Sequence, residues 1–503
     1  MLVQDGLERH AERTPEKTAL VCGERRLSYA GLDAMANRLA NALIAAGVRR
    51  GDRVAVYLPN GVEAAAAIFA SLKASAAFVV VNRAVKIEKL AYILKNAEAA
   101  ALIADPRIAQ DGTLEGLRAR YLPPVVMLAG PGDFTAAFPA ERPASKAIDL
   151  DLACLVYTSG STGEPKGVMS DHSNVLFAAQ SIISYLKNTA EDVVINALPL
   201  SFDYGLYQLL MTTMFGGTLV LERGFVFPAE ILGRIGAERV TGFPGVPTMF
   251  AALLALDLGG FDLSSLRYIT NTAAALPPSH IEALRRKFPG AAIYSMYGLT
   301  ETKRTLYLPP EQLDARPDSV GIPIPGTEAW VEGPDGAKLG PDEVGELVVR
   351  GRHVMRGYWR DPEETARRFR PGPIAGERLC YTGDLFRMDK EGYFYFAGRK
   401  DDIIKTRGEK VAPKEIENVL HGLDGVFAAA VVGVPDPLLG QAVKAVLVAD
   451  RSRVTAQRVL AHCRAHLEDF MVPKLVEFRR ELPVGPSGKV LKRELVECAE
   501  SRG

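Results

Sequence analysis

Apolar positions along the chain switch between two periods. From Ala19 onward, short β-branched runs such as ALVCG, DRVAVYL and AAFVVVN alternate with alanine- and leucine-rich stretches such as Tyr29–Val48 that carry helical spacing. The same alternation returns through AALIAD, VVINALP, GTLVLE, RVTGFPG and LRYITNT, each followed by a helical segment. Strands separated by crossover helices predict parallel sheets in a layered α/β fold, whose strand-to-helix loops are natural places for a site. The apolar stretch Ala64–Val81 reads as buried helix plus strand, because Lys73 interrupts it and it is short of the roughly 20 strongly apolar residues of a membrane span.

After Val320 the texture changes to short strands punctuated by glycine and proline, TEAWVEGPDG, GELVVRG and GYFYFAG, which predict antiparallel β structure. A charged stretch, Gly398–Asp402, follows, and then about a hundred residues with their own mixed pattern, including AAAVVGV and AVKAVLVA. The expected organisation is a large N-terminal domain of layered α/β subdomains over residues 1–398, its β-rich subdomain at about 320–398. A hinge follows at 399–401, and a small α+β domain at 402–503. A length of 503 residues agrees with a multidomain chain.

Composition narrows the function. Sixty basic residues balance 60 acidic ones, so a nucleic-acid partner is not expected. Asp5, Glu8 and Arg9 occupy the place of a secretory signal's apolar core. Cys22, Cys154, Cys380, Cys463 and Cys498 are odd in number and scattered, which fits neither a disulfide framework nor a zinc site, and a cytoplasmic location is expected. His462 and His466 are the one close histidine pair and read as a solvated helix face.

The sharpest local signal is Tyr157-Thr-Ser-Gly-Ser-Thr-Gly-Glu-Pro-Lys-Gly167, entered from the apolar strand Ala153–Val156. Its hydroxyls, glycines and lysine are suited to wrapping backbone N–H groups and a cation around phosphate oxygens. It is not a Walker A loop, because the lysine is followed by Gly167 and the G-x-x-x-x-G-K-[ST] spacing fails.

Four more stretches follow in order: Tyr297-Gly-Leu-Thr-Glu301, Tyr381-Thr-Gly-Asp384, Gly398-Arg-Lys-Asp-Asp-Ile-Ile-Lys405 and Pro486-Ser-Gly-Lys489. With the glycine-rich loop they resemble the signature of the adenylate-forming superfamily of acyl- and aryl-CoA synthetases, peptide-synthetase adenylation domains and luciferases. The resemblance runs from Leu27-Ser-Tyr29 to Lys489. It implies that a carboxylate reacts with ATP to give an acyl adenylate and pyrophosphate, and that the acyl group then passes to the phosphopantetheine thiol of CoA or of a separate carrier protein. A non-catalytic nucleotide- or acyl-binding relative, or a luciferase-like oxygenase, is the alternative.

The resemblance also implies roles. Lys489 would bridge the carboxylate and the α-phosphate, Thr300 would hydrogen-bond that phosphate, and Glu301 would hold Mg²⁺. Thr158, Ser159, Gly160, Ser161, Thr162, Gly163 and Lys166 would cradle the phosphates. Ala273, Ala274, Ser295, Met296, Tyr297 and Gly298 would border adenine, with Tyr297 stacked on it, while Asp384 and Arg399 would hold the ribose. Asp401 is at the hinge position about which the C-terminal domain would turn between adenylating and thioester-forming orientations, and Lys405 matches a phosphate-contacting lysine of some members.

The acyl side is less determined. Phe202 stands where many acyl-CoA synthetases have a gating histidine, and Phe202-Asp203 follows the peptide-synthetase style, in which the aspartate pairs with a substrate amine. Arg304 falls at a pocket-lining position. It could pair with Asp203, or clamp a second carboxylate or polar oxygen of the substrate. Tyr204, Tyr207 and Thr305 complete the candidate acyl contacts, the tyrosines favouring a small or medium acid. Amino acids, neutral acyl acids and dicarboxylic or polar acids all stay open. The loop Arg407–Glu417 resembles that of CoA synthetases and carrier-loading ligases. Two departures from the pattern are Ala273–Ala275 and Ser295 beside adenine, and the glycine- and proline-poor segment Lys73–Asn82.

Overall fold

The computed structural model describes all residues except 131–134, 160–163, 273–275, 401, 407–408, 438, 486–488 and 498–503. Two large sheets form its first half. In the nine-stranded sheet, Ala292–Tyr297, Tyr268–Asn271, Gly242–Gly245, Val193–Asn196, Thr218–Leu221 and Thr18–Cys22 run parallel in that spatial order. Antiparallel strands close both edges. The six-stranded sheet is parallel through Val125–Leu128, Ala99–Ala104, Arg53–Tyr57, Ala77–Val80 and Leu152–Ser159, and ends in the antiparallel strand Pro165–Asp171. Strands buried on both faces need continuous apolar runs, which is why these segments read as β-branched blocks without polar alternation.

The helices Tyr29–Ala45 and Val62–Lys73 bury nearly every apolar side chain in a core shared by both sheets. Ser28 caps the first of them by accepting from Gly31 N–H at 3.1 Å. Lys73, which interrupts the apolar stretch, is itself buried. Its ammonium lies 2.6 Å from Glu8 and 2.8 Å from Asp33, so the charge enters the core already paired. Among the described residues no helix is long and apolar enough to cross a membrane.

Beyond Val320 the strands Glu328–Glu332, Gly345–Arg350, Arg378–Met388 and Phe394–Arg399 pair antiparallel, as their glycine-rich punctuation predicts. A third unit follows, in which Val426–Asp436 and Gly440–Ala449 form a long antiparallel pair covered by the helices Pro413–His421 and Ala456–His466. His462 is less solvated than its spacing suggested, because a ring nitrogen lies 3.0 Å from Val419 O and ties these two helices together. The unit meets the large domain where the rings of His280 and His421 stand 6.1 Å apart.

Candidate active site

The candidate residues collect at the carboxyl ends of the parallel strands, where crossover topology leaves a crevice. Strand Ala292–Tyr297 carries Ser295 in register with Asn271 and buries Ser295 and Met296. The chain then turns through Gly298 and returns as the antiparallel strand Leu306–Tyr307, the turn held by Thr305 N–H donating to Tyr297 O at 2.9 Å. Gly298 is required by close approach. A Cβ there would lie 1.9 Å from Lys303 O, so any side chain would push the turn open.

That turn presents Thr300, half-buried, and Glu301. The Tyr358 hydroxyl donates to Glu301 Oε1 at 2.5 Å, while Oε2 has no partner among the described residues. Burial first, and then the Glu301 carboxylate, push the Tyr358 hydroxyl well above the ordinary tyrosine range, so it stays a donor. Lys166 comes to the same corner from the strand Pro165–Asp171. Its ammonium lies 3.2 Å from Glu364 and 5.7 Å from the centre of the Tyr358 ring. Thr158 stands opposite Lys166 in the hairpin register, and the loop Gly160–Gly163 between these strands lies outside the described residues, as does the side chain of Ser159.

A second corner forms around Asp384, which is 3% exposed on the strand Arg378–Met388. Tyr297 donates its hydroxyl to Asp384 Oδ2 at 2.6 Å, and Arg399 Nε lies 3.2 Å from Oδ1. Oδ1 nevertheless accepts no aligned hydrogen bond, leaving an open acceptor in a buried place. Burial raises the carboxyl's affinity for a proton, opposed by Arg399, the Tyr297 hydroxyl and the Lys489 ammonium. Lys489, exposed and with its carbonyl accepting from Gly485 N–H at 2.8 Å, therefore acts on Asp384 from the C-terminal unit. Ala273, Ala274, the expected hinge position Asp401 and the side chain of Lys405 lie outside the described residues, although the Lys405 backbone belongs to the strand Ile404–Thr406.

The acyl candidates sit on the helix Asp203–Phe215 and the turn after Glu301. Phe202 precedes the helix and meets Tyr204 edge to face at 6.2 Å. Tyr204 shares its hydroxyl with Thr270 Oγ1 at 2.6 Å, and Thr305 shares its own with Thr302 at 2.7 Å. Asp203 and Arg304 are 4% and 2% exposed, yet no ion pair joins them. Arg304 instead lies 4.2 Å from the centre of the Tyr204 ring, with its Nε unbonded.

Sequence reasoning missed three nearby residues. Tyr358, in the ordinary-looking Arg-Gly-Tyr-Trp stretch, carries the Glu301 contact. Arg368 donates to Tyr381 O at 3.2 Å and feels the charge of Glu301. Lys303 is 1% exposed, its ammonium 5.5 Å from the centre of the Tyr207 ring and without a hydrogen-bond partner. Its position two residues after Glu301 was the available signal.

Comparison with known proteins places these features in context. The family model described as AMP-binding enzyme matches residues 7–359, and that of the AMP-binding enzyme C-terminal domain matches residues 415–489. A feruloyl-CoA synthase of an Amycolatopsis species is 38% identical over 97% of both chains. A long-chain-fatty-acid–CoA ligase of Bacillus subtilis is 32% identical over 98% of this chain and 94% of its own. The ATP-bound structure of MatB from Rhodopseudomonas palustris superposes with a TM-score of 0.91 at 32% identity, covering 99% of each chain.

Proposed function

The chain belongs to the AMP-binding enzyme family and is an AMP-forming acid–thiol ligase, and we propose that it activates a small carboxylic acid with ATP and passes the acyl group to the thiol of CoA. The carboxylate oxygen attacks the α-phosphorus of ATP, the bond to pyrophosphate breaks, and an acyl adenylate forms. The thiol then attacks the acyl carbonyl and AMP leaves.

The observation that carries the residue assignments is the corner around Asp384. Tyr297, Arg399 and Lys489 come from three separate motifs and act on the one buried carboxylate of Asp384, which belongs to a fourth. The open Oδ1 suits a ribose hydroxyl. In our reading Arg399 and the Tyr297 hydroxyl keep Asp384 ionised against its burial, and Lys489 supplies positive charge where the carboxylate and α-phosphate meet, two anions that repel until a cation lies between them. Thr300 donates to the α-phosphate, and Thr158, Lys166 and the Gly160–Gly163 loop hold the outer phosphates.

Mg²⁺ fits Glu301. The residue offers one carboxylate oxygen without a partner among the described residues, a hard donor that would suit this cation. When bound, the ion neutralises phosphate charge, while Tyr358 fixes the carboxylate's orientation. The division of the chain into a core at 1–398, a hinge at 399–401 around Asp401 and a domain at 402–503 belongs to the same proposal, with Lys489 serving adenylation and the Lys405 strand serving thioester formation. CoA is the simpler acceptor than a carrier protein, and action in the cytoplasm agrees with both.

The test is ATP–pyrophosphate exchange in Lys489→Ala. Exchange should fall by about 10²–10³-fold, the scale on which one preorganised electrostatic group contributes. Retained exchange with a normally folded variant would remove Lys489 from the reaction.

A further inference from the structure

Deep beside the Glu301 turn, four buried polar side chains lack the partners that burial normally demands. Lys303 Nζ, Arg304 Nε and the Tyr207 hydroxyl have no hydrogen-bond partner, and Asp203 forms neither an ion pair nor a hydrogen bond among the described residues. All four are at most 4% exposed. They occupy one neighbourhood, since Tyr207 and Cys154 both feel Asp203, Cys154 also feels Lys303, and Tyr207 also feels Arg304. Tyr185, Tyr204 and Tyr207 are all within electrostatic reach of Arg304.

The charges here do not cancel. Asp203 contributes one negative charge, Lys303 and Arg304 two positive ones. Two further acids stand near, and both have other partners: Asp171 is paired with Arg356 at 3.3 Å, and Glu301 receives the Tyr358 hydroxyl at 2.5 Å and acts on the Arg368 guanidinium. An excess buried cation is costly unless an anion arrives to meet it, and unbonded donors cost as much again. Ring faces hold the two cations in place, at 5.5 Å from Tyr207 and 4.2 Å from Tyr204, without using their N–H groups. The donors are therefore preorganised for a ligand the free protein lacks.

We propose that this cluster is an anion-recognising acyl subsite, and that the substrate is a short dicarboxylic acid whose second carboxylate is bound by Lys303, Arg304 and the Tyr207 hydroxyl. The inference rests on the ligase reading above and names its substrate class. Lys303 and Arg304 follow Glu301 by two and three residues, a reach on the order of 10 Å. The second carboxylate must then stand only a few bonds from the reacting one.

The experiment is ATP–pyrophosphate exchange with the wild-type protein across succinate, glutarate and adipate, their monomethyl esters, the matching monocarboxylic acids, and glutamate. Diacids should exceed their esters and monoacid counterparts by at least about 100-fold in kcat/KM, because a site built around charged donors rejects a ligand that leaves them unpaired. Lys303→Met and Arg304→Met should each lower the ratio of diacid to monoacid kcat/KM by at least about tenfold, through the KM for the diacid. Equal or better exchange with monoacids or esters overturns the subsite and leaves the ligase standing. Exchange with glutamate alone, lost in Asp203→Asn, overturns it in favour of amine recognition. No exchange with any acid, in a protein that still binds ATP, overturns the ligase reading and this inference with it.

Discussion

The two halves of the active site are built in opposite ways. On the proposed nucleotide side the buried carboxylates already have company, as Asp384 lies between Tyr297 and Arg399 and Glu301 receives Tyr358, and the Lys166 ammonium meets Glu364. On the acyl side, a few residues along the same turn, Lys303, Arg304, Tyr207 and Asp203 are buried without partners. A paired site is rigid and keeps one shape for one ligand, here the nucleotide common to the whole family. An unpaired site holds its energy in reserve and releases it only to the ligand that completes it. Selectivity among acids is thus expected from the unpaired half, and the chemistry from the paired half.

The strongest way to break the contrast is at the residue joining both halves. Gly298→Ala would press a methyl against Lys303 O and move Tyr297 and Lys303 together. Overpacking of this kind costs about 1–3 kcal/mol, and both ATP and acid affinity should fall, as isothermal titration with each ligand can show. A loss confined to one ligand would mean that the turn does not couple the two halves.

Sharper still is a pair of substitutions with opposite signs. Tyr297→Phe removes a hydrogen bond to a buried carboxylate and should lower stability by roughly 1.5–3 kcal/mol. Lys303→Met removes a buried cation that has no partner and should raise it by about 1 kcal/mol, at the expense of acid recognition. Thermal unfolding of the two variants measures this directly. If both destabilise equally, the acyl cluster is ordinary structure.

The smallest effect is on domain docking. Burial, Lys414 and His280 hold the His421 imidazole down to about 4, and burial lowers His280 as well. Glu417 raises His421, and Lys414 is itself held below its ordinary range by burial. An undocked histidine titrates near 6.5. Above that pH both states are neutral and docking is at full strength. As the pH falls from about 6.5 towards about 4, the undocked form takes up protons that the docked form refuses, so docking weakens. A fluorophore pair spanning the two domains should report separation over that window, and an unchanged distance down to pH 4.5 would assign the interface to other contacts.

Much of the fold was legible because its signals are local. Parallel strands buried on both faces must be apolar runs, and glycine-punctuated strands after Val320 must turn every few residues, so both classes of sheet could be read before any coordinate. The proposed nucleotide residues come from a resemblance, since Asp384, Arg399, Glu301 and Lys489 sit in short stretches of fixed spacing. Tyr358 and Arg368 escaped, because their stretches are unremarkable and each reaches Glu301 across 57 or more residues of chain.

What the sequence determined by itself, then, is which segments become strands and helices and which chemistry gathers in them, both properties of residues close together along the chain. Only the tertiary structure decided who pairs with whom. Asp203 and Arg304 could have neutralised each other, and nothing in their spacing forbade it. The fold instead lays Arg304 over Tyr204 and leaves Asp203 unpaired, because pairing inside a core depends on where two elements 100 residues apart come to rest.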